Sequence, residues 1–248
     1  MRNFLILIGI CISIRLSAQD TLRYKIGDST VCIITELHKG ARRGVVFLNL
    51  HEDESTSVQA CRTFLSNNNG TLIRLHQHGE RLIVFTRKGK LYRFDPNRIF
   101  TPKGRKATLK YFDNYDRVAA KKLKGFANAI IKKLRKARLV VALHNNTEGA
   151  PLSILNYVDK KGYRVNVNSS INIDDFFLTT RKKIYKYLKS KKMNVAWELF
   201  HKTNDDGSLS IYSNKNQLPY VNIEALHGHE TEQLQMLEVL KGVMKKYR

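Results

Sequence analysis

The stretch Gly44-Val-Val-Phe-Leu-Asn-Leu-His-Glu-Asp-Glu54 is an apolar run that ends abruptly in four polar residues. A short run of this kind, opened by Gly44, fits a strand covered on both faces better than a helix. The same pattern returns at Arg138-Leu-Val-Val-Ala-Leu-His-Asn-Asn146 and at Tyr220-Val-Asn-Ile-Glu224. Further strands are predicted over 31–36, 71–75, 81–86, 91–94 and 195–200, with Arg87-Lys88-Gly89-Lys90 as a hairpin turn. Helices are predicted over 54–65, 116–136, 174–189 and 230–246. The second is the clearest: Ala119, Leu123, Phe126, Ala127, Ile130 and Leu134 recur at helical spacing while lysines take the other faces. Apolar runs alternating with helices predict an α/β fold, a single-domain three-layer sandwich with a mixed, largely parallel central sheet flanked by helices.

The composition narrows the function classes. The chain has 248 residues, 44 Lys and Arg against 21 Asp and Glu, and a formal net charge of +23. With 42% hydrophobic residues it can bury a core, which excludes a disordered chain. No repeat, long heptad run or second long apolar stretch is present, which excludes collagen-like, coiled-coil and polytopic membrane classes. Residues 1–19 read as a secretory signal: Arg2, an apolar run from Phe4 to Ile14 too short to span a bilayer, then Ser17 and Ala18. Cys11 follows Ile10, where a lipobox has a small residue. The expected mature domain is residues 20–248, secreted or periplasmic, with a net charge of about +21 and no transmembrane segment. Cys32 and Cys61 remain in it, as a disulfide or as free thiols. So positive a field attracts any polyanion, an anionic cell-wall polymer included, but no sequence motif for a specific nucleic acid is present.

Four polar clusters follow apolar runs: His51-Glu52-Asp53-Glu54, Asp95-Pro96-Asn97-Arg98, His144-Asn145-Asn146 and Glu224. In an open α/β sheet the carboxyl ends of the strands form one rim, where ligands bind. His51 and Glu54 form an H-x-x-E pair, and two histidines with a carboxylate are a ligand set for a catalytic zinc with an open position. His144 at a strand end is the natural third ligand. The pairs His76/His78 and His227/His229 read as surface polar residues.

The ordered set H-E-D-E, D-P-N-R-I-F, A-L-H-N-N and V-N-I-E-A resembles the zinc carboxypeptidase superfamily, nearest its succinylglutamate desuccinylase and aspartoacylase branch. That resemblance implies a carboxypeptidase-like fold with one Zn²⁺ on His51, Glu54 and His144. It further implies Glu224 as general base and acid, and Asn97 with Arg98 as the grip on a substrate carboxylate. Tyr212 is the candidate for the mobile substrate-side tyrosine of such enzymes. Arg81, Arg87 and Arg93 compete for the role of the arginine that polarises the scissile carbonyl. The implied activity is hydrolysis of an amide near a free carboxylate, by a carboxypeptidase on peptides such as cell-wall stem peptides or by an N-acyl-amino-acid deacylase. The few residues after the helix following Glu224 are expected to leave no room for the additional C-terminal domain of aspartoacylases. The competing class is a basic, non-catalytic protein that binds a polyanion.

Overall fold

The computed structural model describes residues 18–38, 44–112, 115–147, 152–200 and 202–247. The expected signal lies outside these residues except for Ala18 and Gln19, which open the first strand. The strands are β1 (Ala18–Ile26), β2 (Ser29–His38), β3 (Gly44–Asn49), β4 (Gly70–His76), β5 (Ile83–Arg87), β6 (Lys90–Phe94), β7 (Ala137–Asn146), β8 (Tyr163–Asn166), β9 (Phe176–Thr179), β10 (Val195–Glu198) and β11 (Tyr220–Leu226). The helices are α1 (Ser55–Asn67), α2 (Pro102–Tyr111), α3 (Arg117–Leu134), α4 (Lys182–Ser190), α5 (Leu209–Lys215) and α6 (Glu230–Met244).

Nine strands form one mixed sheet in the order β1-β2-β4-β3-β7-β11-β9-β10-β8. The middle strands β4, β3, β7 and β11 are parallel, so their carboxyl ends share one edge. Successive side chains on a strand alternate between faces, and here the two faces build two cores. Val45, Phe47, Leu139 and Val141 pack with α1, α4 and α6. Val46, Leu48, Val140 and Ala142 pack with α2, α3, α5 and the β5–β6 hairpin. That alternation decides where the polar ends point. His144 takes the face of Val140 and Ala142, and Glu224 pairs with it in register on β11.

The predicted helix over 174–189 is overturned in its first half and realised in its second. Phe176-Phe-Leu-Thr179 is a wholly buried strand, parallel to β10 and antiparallel to β11, and α4 starts only after Arg181. Asp174 therefore caps no helix; its carbonyl instead accepts from Asn146 Nδ2 at 2.9 Å. β6 also departs from expectation, since it pairs with β5 alone in a separate hairpin and its end is not part of the main rim. Lys88 and Gly89 turn that hairpin with positive φ, as the sequence suggested. Cys32 and Cys61 are both free thiols. Among the described residues no helix is long and apolar enough to cross a membrane.

Candidate metal centre

The turn between β3 and α1 brings the first two candidate residues together. Glu54 stands at the start of α1, and its amide donates to the His51 carbonyl at 3.2 Å, which closes a tight loop. The loop sets His51 Nδ1 2.8 Å from Glu54 Oε1. From β7, 93 residues away in sequence, His144 Nδ1 arrives 3.2 Å from His51 Nδ1 and 2.9 Å from Glu54 Oε2. All three side chains are buried, at 1%, 3% and 3% exposure for His51, Glu54 and His144.

This donor set fits a metal ion. One ligand atom from each residue lies within 4.8 Å of the other two, and this is the single such group among the described residues. Bonds of about 2.0–2.2 Å around a tetrahedral ion put neighbouring ligand atoms about 3.3–3.6 Å apart, a few tenths of an ångström wider than the 2.8–3.2 Å observed. Both imidazoles present Nδ1 to the shared centre. His51 Nε2 lies 2.8 Å from Asp95 Oδ1, the carboxylate contact that commonly fixes the ring and tautomer of a metal-ligating histidine. His144 Nε2 is buried without a partner.

Charge compensation is built in. Burial acts to lower the His51 pKa, but Glu54 and Asp95 outweigh it and raise it to about 9. Burial acts to raise the Glu54 carboxyl, yet His144 and His51 hold it well below the usual carboxylate range. Asp95 is likewise held low against its burial, chiefly by its bond to His51. Glu224 differs: burial pushes its pKa up, with His144 opposing and Glu54 adding to the rise, and Asn222 Nδ2 donates to its Oε1 at 2.8 Å. A carboxylate raised in this way is suited to taking and returning a proton.

Outer contacts tie the cluster to two helices of the α1, α4 and α6 layer. Asn145 Oδ1 accepts the Ser57 amide of α1 at 2.8 Å, and Asn145 Nδ2 donates to Gln233 Oε1 of α6 at 2.9 Å. Gln233 Nε2 in turn donates to the His144 carbonyl at 3.1 Å. The sequence marked Asn145 without a task; its task is to clamp β7 between α1 and α6.

Of the three arginines, Arg81 is the one at the centre, where Nη1 donates to Glu54 Oε1 at 2.5 Å. Arg87 instead pairs with Asp116 at 3.0 Å, and Arg93 is exposed on β6. Beside Arg81 opens a cavity of about 480 Å³, whose lining includes Asp95, Arg98, Leu82, Thr108 and Tyr111. The Arg98 side chain is 41% exposed and lies 3.7 Å from Asp206 Oδ2, leaving its guanidinium edge accessible from the cavity. Asn97 is partly engaged elsewhere, since its Oδ1 accepts the Leu209 amide at the start of α5 at 3.0 Å. Tyr212 lies on helix α5, not on a strand, and packs on Phe100 with ring centroids 6.2 Å apart. The tyrosines that sense Glu224 are Tyr157 and Tyr220: burial raises the pKa of each most, and the Glu224 charge adds to the rise.

The sequence missed the functional contact of Asp95. Its only local signal is an Asp before Pro, and its side chain accepts the Asn97 amide at 2.7 Å to start a 3-10 turn. The pairs His76/His78 and His227/His229 join no metal group among the described residues; His76 contacts Glu52, and His229 lies 3.6 Å from Asp175.

No family model matches the chain, and no curated protein matches it. Solved structures similar to it include the gene product Atu2144 of Agrobacterium tumefaciens, at 13% identity and a TM-score of 0.47, covering 86% of this chain and 92% of that one. A candidate metallopeptidase of Shewanella denitrificans OS217 is similar at 12% identity and a TM-score of 0.46, covering 90% and 82%. An aspartoacylase family protein of Mesorhizobium loti is similar at 11% identity and a TM-score of 0.46, covering 90% of this chain and 65% of that one.

Proposed function

We propose that this chain is a zinc-dependent hydrolase that cleaves an amide bond close to a free carboxylate. The observation that carries the reading is the convergence of His51, Glu54 and His144 on one point, with a raised, buried Glu224 paired to His144 in register. His51, Glu54 and His144 would hold a divalent ion, which when bound would supply Lewis-acid polarisation of an acyl oxygen and acidify water. The chain's own groups do the rest. Glu224 takes a proton from the attacking water and delivers it to the leaving nitrogen. Arg81, at the edge of the cluster, offers a fixed cation where negative charge develops on the acyl oxygen. Arg98 presents a planar fork to a substrate carboxylate entering the 480 Å³ cavity. Asp95 holds the His51 ring in place.

Within that class the substrate is a peptide with a free carboxyl end, cell-wall stem peptides being the target in a secreted or periplasmic setting. The mixed lining of the cavity supports this version over a deacylase for small N-acyl amino acids, because Leu82, Tyr111 and Phe112 suit a larger side chain beside the arginines. The test is metal analysis of purified protein followed by release of amino acid from peptides and from N-acyl amino acids, with and without chelator. Stoichiometric zinc and chelator-sensitive release are expected. Protein that holds no zinc after loading, or release indifferent to chelation, overturns the reading.

A further inference from the structure

Helix α4 and the residues that flank it carry a charge that the hydrolase reading does not use. Arg181-Lys-Lys-Ile-Tyr-Lys-Tyr-Leu-Lys-Ser-Lys-Lys192 holds seven cations in twelve residues, and no Asp or Glu occurs from Phe176 to Trp197. Among the described residues none of the seven is ion-paired to a carboxylate. Ile184 and Leu188 turn into the core, which leaves Lys182, Lys186 and Lys189 exposed along the outer side of the helix. This arrangement works against the helix itself. Arg181, Lys182 and Lys183 stand at its amino end, where the backbone dipole is already positive, and its first turn has no acidic residue. Lys182 and Lys186 repel across one turn, as do Lys186 and Lys189. A face that destabilises its own helix calls for an anionic partner.

The face continues onto the end of the sheet. Trp197 of β10, the one tryptophan in the chain, is half-buried there, with Lys182 Nζ and the Arg164 guanidinium of β8 each 5.8 Å from its ring. Two exposed apolar side chains flank the cations. Phe200 is 47% exposed and shares a hollow with Arg181. Val167 is 42% exposed and precedes Asn168, whose Nδ2 donates to the Lys192 carbonyl at 2.7 Å. Cations around a tryptophan, with apolar side chains at either end, match a surface that is anionic outside and apolar just beneath: a bilayer containing anionic lipid. A soluble polyanion matches the charge alone and offers nothing apolar.

We infer that the α4 face docks this protein on an anionic lipid surface. The apolar side of α4 faces the core, so the helix lies on the headgroups and does not insert. It packs on one face of the sheet, whereas His144 follows Val140 and Ala142 on the other, so docking leaves the histidine cluster on the far side from the lipid. The inference does not depend on the proposed hydrolase activity.

Flotation of the full chain tests it, with vesicles of phosphatidylcholine alone and with about one part in four phosphatidylglycerol. Capture in excess on the anionic vesicles is expected, falling steeply between about 0.1 and 0.5 M salt. Lys182→Gln/Lys186→Gln/Lys189→Gln should weaken it about a hundredfold, each lysine near such a surface contributing roughly a factor of five. Lys121→Gln/Lys124→Gln/Lys132→Gln removes the same charge from exposed positions of α3 and should keep most of the binding. The apolar run from Phe4 to Ile14 is common to every sample, so the comparison reads the lysines alone. Trp197 reports orientation: a nitroxide on the headgroups should quench its fluorescence, and capture without quenching overturns the docking face. Equal capture by both vesicles, or equal loss in the two triple variants, also overturns the inference. Binding of soluble polyphosphate through the α4 lysines without flotation on anionic vesicles makes the partner a dissolved polymer and overturns the lipid surface. The α4 substitutions relieve repulsion at exposed positions, so the variant is expected to fold; should it unfold, quenching of Trp197 in the wild type decides.

Discussion

The two edges of the sheet handle buried polarity in opposite ways. At the carboxyl edge, His51, Glu54, Asp95 and His144 interlock at 2.8–3.2 Å, so each buried charge is held by another. At the amino edge, Thr180 and Ser213 are neutral and bond to nothing. A self-compensated ionic cluster resists loss of any member, because each removal strands a buried charge. An unpaired buried hydroxyl is instead a modest cost to the fold. The first edge is organised for chemistry and the second is not, and substitutions on each should differ in kind as well as size.

The largest effect expected is on metal occupancy. His51→Ala, Glu54→Ala and His144→Ala should each end stoichiometric binding, since a three-ligand site keeps little affinity with two. Elemental analysis after dialysis checks this, and full occupancy in any variant removes that residue from the ligand set. Glu224→Gln comes next. It should retain metal and lose about 10²–10⁴ in turnover, the usual worth of a general acid-base group. Wild-type turnover would locate the proton acceptor elsewhere. Asp95→Asn should act more mildly, weakening metal affinity about 10–100-fold through the freed His51 ring. Competition with a chelator of known affinity measures it, and an unchanged constant would show the His51–Asp95 contact to be incidental.

Acidity separates the edges further. In chelator-treated protein, His51, raised from 6.5 to about 9, adds its stability in full below about pH 6.5 and loses it as pH rises through 9. Glu54 and Asp95, held below their ordinary 4.5 and 3.8, add theirs above those values and lose it on acidification. The chelator-treated cluster should therefore stabilise most between about pH 4.5 and 6.5. Metal loading needs His51 deprotonated, so zinc affinity should instead climb with pH over the alkaline side. Melting temperatures across pH with and without zinc test both limbs; parallel curves would show that proton and metal do not share His51.

How much of this the sequence disclosed follows from the range of each contact. His51 and Glu54 are three residues apart, so their pairing was legible in the H-x-x-E spacing. His144 was legible as a polar end on a β-branched run, and period-two alternation on β7 explains why it faces Glu224. β9 was not legible: three apolar residues and a threonine next to a true helix carry too little period to tell strand from helix. β1 was missed because it is an edge strand, exposed over most of its length, with no apolar face to show. α2 carried a readable start, Thr101 capping the Gly104 amide before Pro102, but its lysines and arginine masked the apolar stripe. The Asp95 contact with His51 depends on packing between segments distant in the chain, which no local pattern encodes.

The smallest effect sharpens the comparison most. Ser213 is wholly buried with an unbonded hydroxyl, and such a group costs about 1–3 kcal/mol relative to a paired one. Ser213→Ala removes one oxygen and leaves a void smaller than a methyl group, so little packing is lost. The variant should melt at or slightly above the wild-type temperature, by no more than a few degrees, as scanning calorimetry measures. Ser213→Ala melting well below wild type would mean that the hydroxyl serves the fold, and that the two edges are more alike than their hydrogen bonds suggest.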